Sequence, residues 1–361
     1  MLATKSVCAS SADVCAAVVW SSPEEVLALD QAVCRLGGGA PDPMLRPAFY
    51  LASISEQWKP RVVSVERQGE IVSVVYAKER MIGGVPSGLI FGDATLTAMS
   101  AGERQEDVFR AALEKIFAVR GVRGIRLRVL PGSPELRAVH GLIRSRKVDT
   151  HYVRIRDHAR LTLPDSYENF LRALGGSSRH NFRRYRERFE AARNQYVSPL
   201  TASELESAAW QIRTKSSRPT SPCDLRRVLN MLSAAHRPFA AGLRDRDGRW
   251  LSITAGCHRP GSAVMFLQLN DDLDFPNESL SLVLRAFLIE DLIRQRTSEL
   301  WFWAGVSPPL SRYALSVRAI EVHLDKPSWT WRAMRWAVSR IGPRLPRHMQ
   351  QDARSVSPFC S

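Results

Sequence analysis

The first strong pattern along the chain is a pair of apolar, β-branched runs. Arg61–Glu66 and Ile71–Tyr76 are rich in valine and isoleucine, and Gln68-Gly69 separates them. Two such runs around a glycine turn predict a β-hairpin. The shorter apolar run Leu89–Phe91 predicts a further strand.

The hydrophobic spacing then changes to that of a helix and back to that of a strand. Glu103–Arg120 carries Val108, Leu113 and Ile116 at helical spacing. An amphipathic helix is therefore predicted there, ending near Gly121. Apolar and polar residues alternate from Gly124 to Leu130, and this alternation predicts a strand.

The second half of the chain repeats this order of elements. An Asp-Gly turn signal at Gly248 separates two predicted strands, and an apolar helix follows a third. The predicted strands are Phe239–Leu243, Trp250–Cys257, Ala263–Leu269 and Leu300–Trp303, and the predicted helix is Asn277–Arg296.

The spacing between the two halves is nearly constant. The turn glycines Gly69 and Gly248 are 179 positions apart, and the strands after the helices, counted from Ile125 and Glu299, are 174 apart. A constant separation is typical of a duplicated unit, although α/β chains also alternate in this way by chance. We expect an α/β (α+β) fold of two tandem domains with mixed central sheets flanked by helices. The expected bounds are 1–22 for a weakly ordered N-terminus, 23–160 and 161–325 for the domains, and 326–361 for a C-terminal helix and tail.

Composition favours a folded protein with local anion-binding patches. Of the 361 residues, 45% are hydrophobic and 24% charged, and the net charge is +15. Three stretches, 120–160, 179–193 and 332–354, account for the whole excess, so specific DNA binding is not expected. The six cysteines form no Cys-x-x-Cys pair; no metal site is expected, and a reducing, cytoplasmic location is the simpler interpretation.

The most distinctive segment is an arginine-rich helix that begins after Leu174-Gly-Gly. Arg179, Arg183 and Arg186 share one face of this helix. Their guanidinium groups are candidates for binding a phosphate or carboxylate of the substrate. A solvated helix face is the alternative interpretation, because charged runs more often have that role.

This helix and the elements after it resemble the Fem-like and CelD-like acyltransferases of the GNAT (acyl-CoA N-acyltransferase) superfamily. The similar segments are Gly175–Glu190, Phe266–Asp272, Asn277–Leu280 and Leu300–Gly305, within about residues 163–313. The resemblance implies two tandem GNAT-like domains and transfer of an acyl group from acyl-CoA to an amine. The amine would belong to a sugar, lipid or peptide intermediate of envelope or exopolysaccharide biosynthesis. In the Fem branch the donor is aminoacyl-tRNA, which is the alternative.

The resemblance also implies positions for the site. The donor pyrophosphate would lie at the helix start, near Asn277 and Ser279, with Arg312 as a further anion ligand. The candidate catalytic residues are Gln268, Asp271, Asp272 and Tyr313, and Asn270 could orient the substrate; the other interpretation of 270–274 is a polar turn. The chain has no Gly-rich phosphate loop, and Arg312 replaces the family's lysine. A catalytically silent GNAT-like binding module is therefore the alternative function.

The C-terminal segment 328–341 combines tryptophan with arginine. Trp329 and Trp336 share one helical face, and Arg332, Arg335 and Arg340 add positive charge. This composition is typical of a helix at an anionic membrane surface, so a peripheral position on the inner face of the membrane is one expectation. Packing of the tryptophans on the domain body is the other.

Overall fold

The structure is a computed structural model that describes residues 16–36, 42–100, 103–145, 148–217, 219–303, 306 and 309–326, without the side chains of 154–157. The Trp/Arg-rich segment 328–341 and its expected membrane contact lie outside the described residues, as do residues 1–15. None of the described helices is long and apolar enough to cross a bilayer.

The first half of the chain begins with a strand and three short helices, and a curved sheet follows. Its elements are β1 (Ala16–Trp20), α1 (Pro23–Ala28), α2 (Asp30–Leu36), a 3-10 turn (Pro43–Leu45), α3 (Pro47–Ser53), β2 (Trp58–Pro60), β3 (Val62–Arg67), β4 (Glu70–Ile82), β5 (Val85–Met99), α4 (Gln105–Ala118), β6 (Gly124–Val129), α5 (Pro134–Arg144) and β7 (Asp149–Thr162).

The second half places the arginine-rich helix before its own run of strands. Its elements are α6 (Tyr167–Ala173), α7 (Gly176–Ala191), β8 (Gln195–Val197), α8 (Ala202–Ile212), α9 (Pro222–Ala234), β9 (Pro238–Arg244), β10 (Trp250–Arg259), β11 (Ser262–Asn270), α10 (Leu280–Arg294), β12 (Glu299–Phe302), a 3-10 turn (Leu310–Arg312) and β13 (Leu315–Asp325). The predicted repeat of hairpin, strand, helix and strand is present in both halves.

The described strands form one continuous mixed sheet. Their order is β1-β3-β4-β5-β6-β13-β7-β12-β11-β10-β9-β8, with β2 beside β4. In each half the strand before the long helix pairs in parallel with the strand after it, β5 with β6 and β11 with β12. The expected α/β class with two helix-flanked units is confirmed, and the two expected sheets are joined edge to edge.

The join is an exchange of strands between the halves. β7, from the first half, pairs with β12, and β13, from the end of the second half, pairs with β6. β7 and β13 also pair with each other in antiparallel orientation. Arg126 on β6 and Asp325 on β13 form an ion pair of 2.8 Å whose side chains are 3% and 8% exposed. This buried ion pair ties the last described strand to the first half.

Each half has its own apolar core. In the first half, Phe109 and Leu113 of α4 pack on Ile125 of β6 and on Leu324 of the exchanged strand β13. In the second half, α10 packs against Phe302 of β12 and Phe182 of α7. Burying side chains of this size contributes about 1.5–3 kcal/mol each.

Candidate functional site

A bulge in the strand pair β10–β11 turns the side chains after it toward α10. The pairing passes from Ala255↔Leu267 to Gly256↔Met265, so Phe266 has no opposite residue. An extra residue in one strand reverses the faces that the later side chains occupy. Gln268 consequently reaches α10, where its Oε1 accepts a hydrogen bond of 3.0 Å from Arg285 Nε.

The start of α10 leaves backbone amides without a partner. Ser279 precedes the helix with φ +48°, and its side chain makes no capping hydrogen bond. The amides of Leu282 and Val283 are the first in α10 to make helical hydrogen bonds. Both donate to the Ser279 carbonyl oxygen. Among the described residues, nothing accepts from the amides of Leu280 and Ser281. Open amides at a helix N-terminus, together with the helix dipole, favour an anion.

A cavity of about 300 Å³ lies beside the start of α10, with Ser279 and Ser281 on its wall. Three elements contribute to its wall: α7, α10 and the 3-10 turn that follows β12. The lining residues are Asn181, Tyr185, Ser279, Ser281, Leu282, Arg285, Pro309 and Leu310. We call this space the α10 cavity.

Arg285 gives the α10 cavity a buried positive charge. The residue is 8% exposed, and burial lowers the pKa of its guanidinium to about 10, so it stays protonated at neutral pH. One of its hydrogen bonds goes to the neutral amide of Gln268, and its guanidinium lies 5.5 Å from the centre of the Phe302 ring. The open amides and this cation make the cavity suitable for a phosphate or another anion.

Tyr313 joins the 3-10 turn to the start of α7. Its hydroxyl accepts a hydrogen bond of 2.6 Å from the Gly175 amide and lies 3.5 Å from Ser178 Oγ. The hydrogen bonds with Ser178 and then with Gly175 lower the pKa of the Tyr313 phenol. Arg312 precedes it on the surface, at the end of the 3-10 turn, Leu310–Arg312. The predicted pair Arg312-Tyr313 therefore lies beside the turn that lines the α10 cavity.

The predicted arginine face of α7 is partly occupied by ion pairs. Arg183 pairs with Glu168 at 3.1 Å. Arg186 pairs with Glu290 at 2.6 Å and lies 4.2 Å from the centre of the Phe287 ring. Arg179 is half-buried and has no ion-pair partner among the described residues. None of the three lines the α10 cavity, which instead meets Asn181 and Tyr185 of the same helix.

The predicted acids lie in a turn after β11 and not on the cavity wall. The Asp271 side chain is completely buried, pairs with Arg249 at 2.5 Å and accepts a 3.1 Å hydrogen bond from the Asp274 amide. Asp272 accepts a 3.0 Å hydrogen bond from the Ser217 amide. Through these contacts both acids stabilise a polar turn. Their catalytic role stays a prediction.

The remaining predicted residues divide between the cavity and its surroundings. Ser279 lines the cavity, whereas Asn277 is exposed in the turn before α10. Asn270 accepts a hydrogen bond of 2.7 Å from Ser252 Oγ and lies 3.4 Å from Gln268 Nε2. It is therefore placed to hold Gln268.

Arg285 is the residue of the cavity that the sequence analysis missed. A single arginine within the apolar run Leu280–Ile293 was the available signal, because such a charge must be buried or reach a rim. In the described part of the chain, no cluster of three His, Cys, Asp or Glu side chains could hold a metal ion.

Comparison with known proteins shows similarity in structure only. No family model matches the sequence, and no curated protein sequence matches it. The structure of FemX is 10% identical with a TM-score of 0.61, and the alignment covers 88% of this chain and 99% of FemX.

Two further structures agree with this comparison. A tandem GNAT protein from the clavulanic acid biosynthesis pathway is 12% identical with a TM-score of 0.50, covering 87% of this chain and all of that one. The C-terminal domain of a putative lysylphosphatidylglycerol synthetase from Agrobacterium fabrum is 11% identical with a TM-score of 0.53, covering 89% of this chain and 97% of that one. The chain therefore has the tandem GNAT fold that the resemblance predicted.

Proposed function

We propose that the protein is an N-acyltransferase that moves an acyl group from acyl-CoA to an amine. The acceptor would belong to a sugar, lipid or peptide intermediate, as in envelope or exopolysaccharide biosynthesis. The observation that carries the proposal is the α10 cavity, whose wall combines Ser279 and Ser281, at the uncapped start of the helix, with the buried Arg285. The tandem GNAT fold supports it.

The donor phosphates would bind at the start of α10. The amides of Leu280 and Ser281 and the Arg285 guanidinium would share the negative charge, as a helix N-terminus and an arginine do for other phosphates. Gln268 would hold Arg285 in place through its 3.0 Å hydrogen bond. Asn277 and Arg312 are exposed, each two positions from a residue of the cavity wall, and would contact the outer part of the donor.

The acyl group would then extend toward the opening between β11 and β12. These strands pair only from Ser262↔Glu299 to Met265↔Phe302, while β11 continues to Asn270. The amine nitrogen attacks the thioester carbon, the C–N bond forms, the C–S bond breaks and the thiolate leaves, and the proton that the nitrogen loses passes to solvent. Tyr313, whose pKa is lowered by its hydrogen bonds, is the candidate that gives this thiolate a proton.

Calorimetric titration of CoA and acetyl-CoA tests the donor site. Ser281→Asp places a carboxylate beside the open amides, and Arg285→Gln removes the buried cation. We expect each to weaken CoA binding at least tenfold, about 1.4 kcal/mol. Ser281→Asp should not destabilise the protein, because an acid in the first turn suits the helix dipole.

Arg294→Gln is the matched control on the same helix. Arg294 lies at the far end of α10, 69% exposed and paired with Asp291 at 2.6 Å, so its loss should leave CoA affinity unchanged. A wild-type protein that binds neither CoA nor acetyl-CoA contradicts the proposal. Binding of aminoacyl-tRNA in its place would assign the Fem-type donor, and binding of neither would favour the silent module.

A further inference from the structure

Lys78 of β4 is a half-buried cation without an ionic partner. Its ammonium lies 4.5 Å from the centre of the Trp58 ring. It makes neither a hydrogen bond nor an ion pair with any residue that the structure describes. Contact with an aromatic ring replaces only part of the hydration that a buried ammonium loses, and charges inside proteins are normally paired. The donors of Lys78 are therefore available to an anion.

Lys78 lies on the face of the first sheet that turns away from α4. The residue before it, Ala77, belongs to the core beneath that helix. Lys78 is paired with Phe91 across β4 and β5. Asp93, two residues after Phe91, is paired with Arg128 across β5 and β6. Because successive side chains alternate along a strand, Lys78, Asp93 and Arg128 share one face of the sheet.

The second half of the chain brings another arginine to this face. On α9, Met231 follows Arg227 by four residues and packs with Met44 and Phe49 of the first half. Residues four apart share a helix face, so Arg227 also faces the first half. After burial, repulsion from Arg227 and then from Arg128 lowers the pKa of Lys78 to about 8. This repulsion places the three cations near one another.

Arg227 also has a donor that is not used. Its Nη2 pairs with Asp224 at 3.1 Å within α9, but its Nε is buried and bonds to no described residue. Asp93, the acid near Lys78, accepts a hydrogen bond of 2.9 Å from the Thr95 amide and lies 3.3 Å from Arg128. Within the described chain, the interface between the halves thus holds two donor groups that lack an acceptor.

We propose that Lys78, Arg128 and Arg227 form an anion site at the interface between the two halves and that this site binds a phosphate group. The three cations come from β4, β6 and α9, so their donors reach a bound group from separate directions. This arrangement suits the tetrahedral oxygens of a phosphate better than the planar pair of a carboxylate. A phosphate ester carries about 1.5 to 2 negative charges at neutral pH. None of the three residues lines the α10 cavity.

Calorimetric titration of the full chain with inorganic phosphate tests this site. The chain carries Ser281→Asp, which blocks the anion site of the α10 cavity. We expect phosphate to bind at least tenfold more tightly than acetate. Lys78→Met and Arg227→Gln, each added to this chain, should weaken phosphate binding at least tenfold. Arg226→Gln, at the neighbouring exposed position of α9, is the matched control and should leave phosphate affinity unchanged.

Proton uptake provides a second readout, which a general loss of positive charge would not give. A bound phosphate should return the pKa of Lys78 from about 8 toward 10.5, so at pH 8.5 the protein should take up most of one proton on binding. Titrations in two buffers of different ionisation enthalpy measure this uptake, and Lys78→Met should abolish it.

The other charged groups near Lys78 do not confuse this measurement. Arg227, Arg128 and Asp93 face its ammonium, and Arg80 lies two residues along β4. Arginine and aspartate side chains do not titrate near pH 8.5, and inorganic phosphate is already a dianion there. Misfolding is also separated from loss of the site, because Lys78→Met removes a buried charge and should stabilise the protein.

Two pairs of probes identify the molecule that carries the phosphate, measured without Ser281→Asp. O-phosphoethanolamine against ethanolamine reports a phosphorylated second substrate. CoA against dephospho-CoA reports the 3′-phosphate of the donor. Lys78→Met should weaken binding of the phosphorylated member of one pair at least tenfold and leave dephospho-CoA binding unchanged.

Three results would overturn the inference. They are no binding of inorganic phosphate by the Ser281→Asp chain, equal phosphate affinity with and without Lys78→Met, or no proton uptake at pH 8.5. The inference does not depend on the proposed acyl transfer. Failure of that function appears as a lack of CoA and acetyl-CoA binding in the wild type, while binding of inorganic phosphate at this site remains.

Discussion

The phenolic oxygen of Tyr313 lies 2.6 Å from the backbone nitrogen of Gly175, although the two residues are 138 positions apart. Gly175 precedes α7 and has no side chain that could cap it. Tyr313 therefore accepts from the N-cap amide of α7, as Glu25 and Glu204 do within the capping boxes of α1 and α8. A Cβ at position 175 would lie 2.9 Å from this oxygen, so the contact requires glycine.

Tyr313→Phe separates the structural role of this contact from a chemical one. Loss of the hydrogen bond should reduce the free energy of unfolding by about 1 kcal/mol, measured in urea. Loss of a proton donor should reduce kcat about 100-fold with KM for acetyl-CoA unchanged. Tyr152→Phe, at a 43% exposed position, is the control. If Tyr313→Phe keeps the kcat of the wild type, Tyr313 has only the structural role of capping α7.

Gly256→Ala should damage the bulge that orients Gln268. The added Cβ would lie 1.9 Å from the Val264 carbonyl oxygen, so the strands must shift. We expect a loss of at least about 2 kcal/mol in the free energy of unfolding and weaker CoA binding. Gly176→Ala is the control, because nothing lies within 4 Å and alanine favours a helix. Equal stability of Gly256→Ala and the wild type would contradict the described pairing.

Asp271→Asn tests whether this acid anchors a turn or takes part in catalysis. The buried carboxylate pairs with Arg249 at 2.5 Å and Lys215 at 3.5 Å. Removing its charge leaves Arg249 and Lys215 with Asp274 as their remaining described counter-charge and should cost about 2 kcal/mol in the free energy of unfolding. Asp272→Asn keeps an oxygen for the Ser217 amide and should be nearly neutral. Unchanged stability together with a lost kcat in Asp271→Asn would instead support the predicted catalytic role.

Lys78 should make stability depend on alkaline pH. Burial, followed by repulsion from Arg227 and Arg128, lowers the pKa of Lys78 from 10.5 to about 8. The native state therefore binds fewer protons than the unfolded state between these values, and the cost of burying the ammonium is fully present below pH 8. This cost decreases as pH rises toward 10.5.

Lys78→Met should consequently stabilise the protein at pH 7, with a gain that decreases as pH approaches 10. Urea unfolding at pH 7, 8.5 and 10 measures this difference. Lys115→Met, at an exposed helical position, is the control and should show no such trend. A gain that is the same at all three pH values would contradict the lowered pKa.

Several parts of the fold follow from local sequence. At the hairpin turn Gln68 has a φ of +54° and Gly69 a φ of +82°, a value that glycine adopts without strain. The valine runs beside the turn form β3 and β4. The helix predicted over Glu103–Arg120 is α4, Gln105–Ala118. The strand predicted at Leu89–Phe91 is longer in the structure, where it runs over Val85–Met99. Both of its ends also pair with β4, and the register of this pairing shifts at two points.

The site follows from the sequence only in outline. The repeat and the resemblance led to the start of the second long helix, where Ser279 lies on the α10 cavity. They did not distinguish the predicted face of α7, where Arg183 and Arg186 form ion pairs, from Arg285, which is buried against the cavity. Spacing along a helix shows which residues share a face, but which face a neighbouring element covers depends on packing across the fold.

The sequence by itself determined the repeated order of strands and helix, the turn glycines and the arginine-rich helix, because these depend on residues close together in the chain. Only the tertiary structure decided that β7 pairs with β12 and β13 with β6. Strands pair through backbone amides and carbonyls that every residue type except proline offers, so the sequence of a strand does not name its partner. That exchange joins the halves and brings Nδ1 of His158, on β7, within 2.5 Å of the backbone oxygen of Trp303.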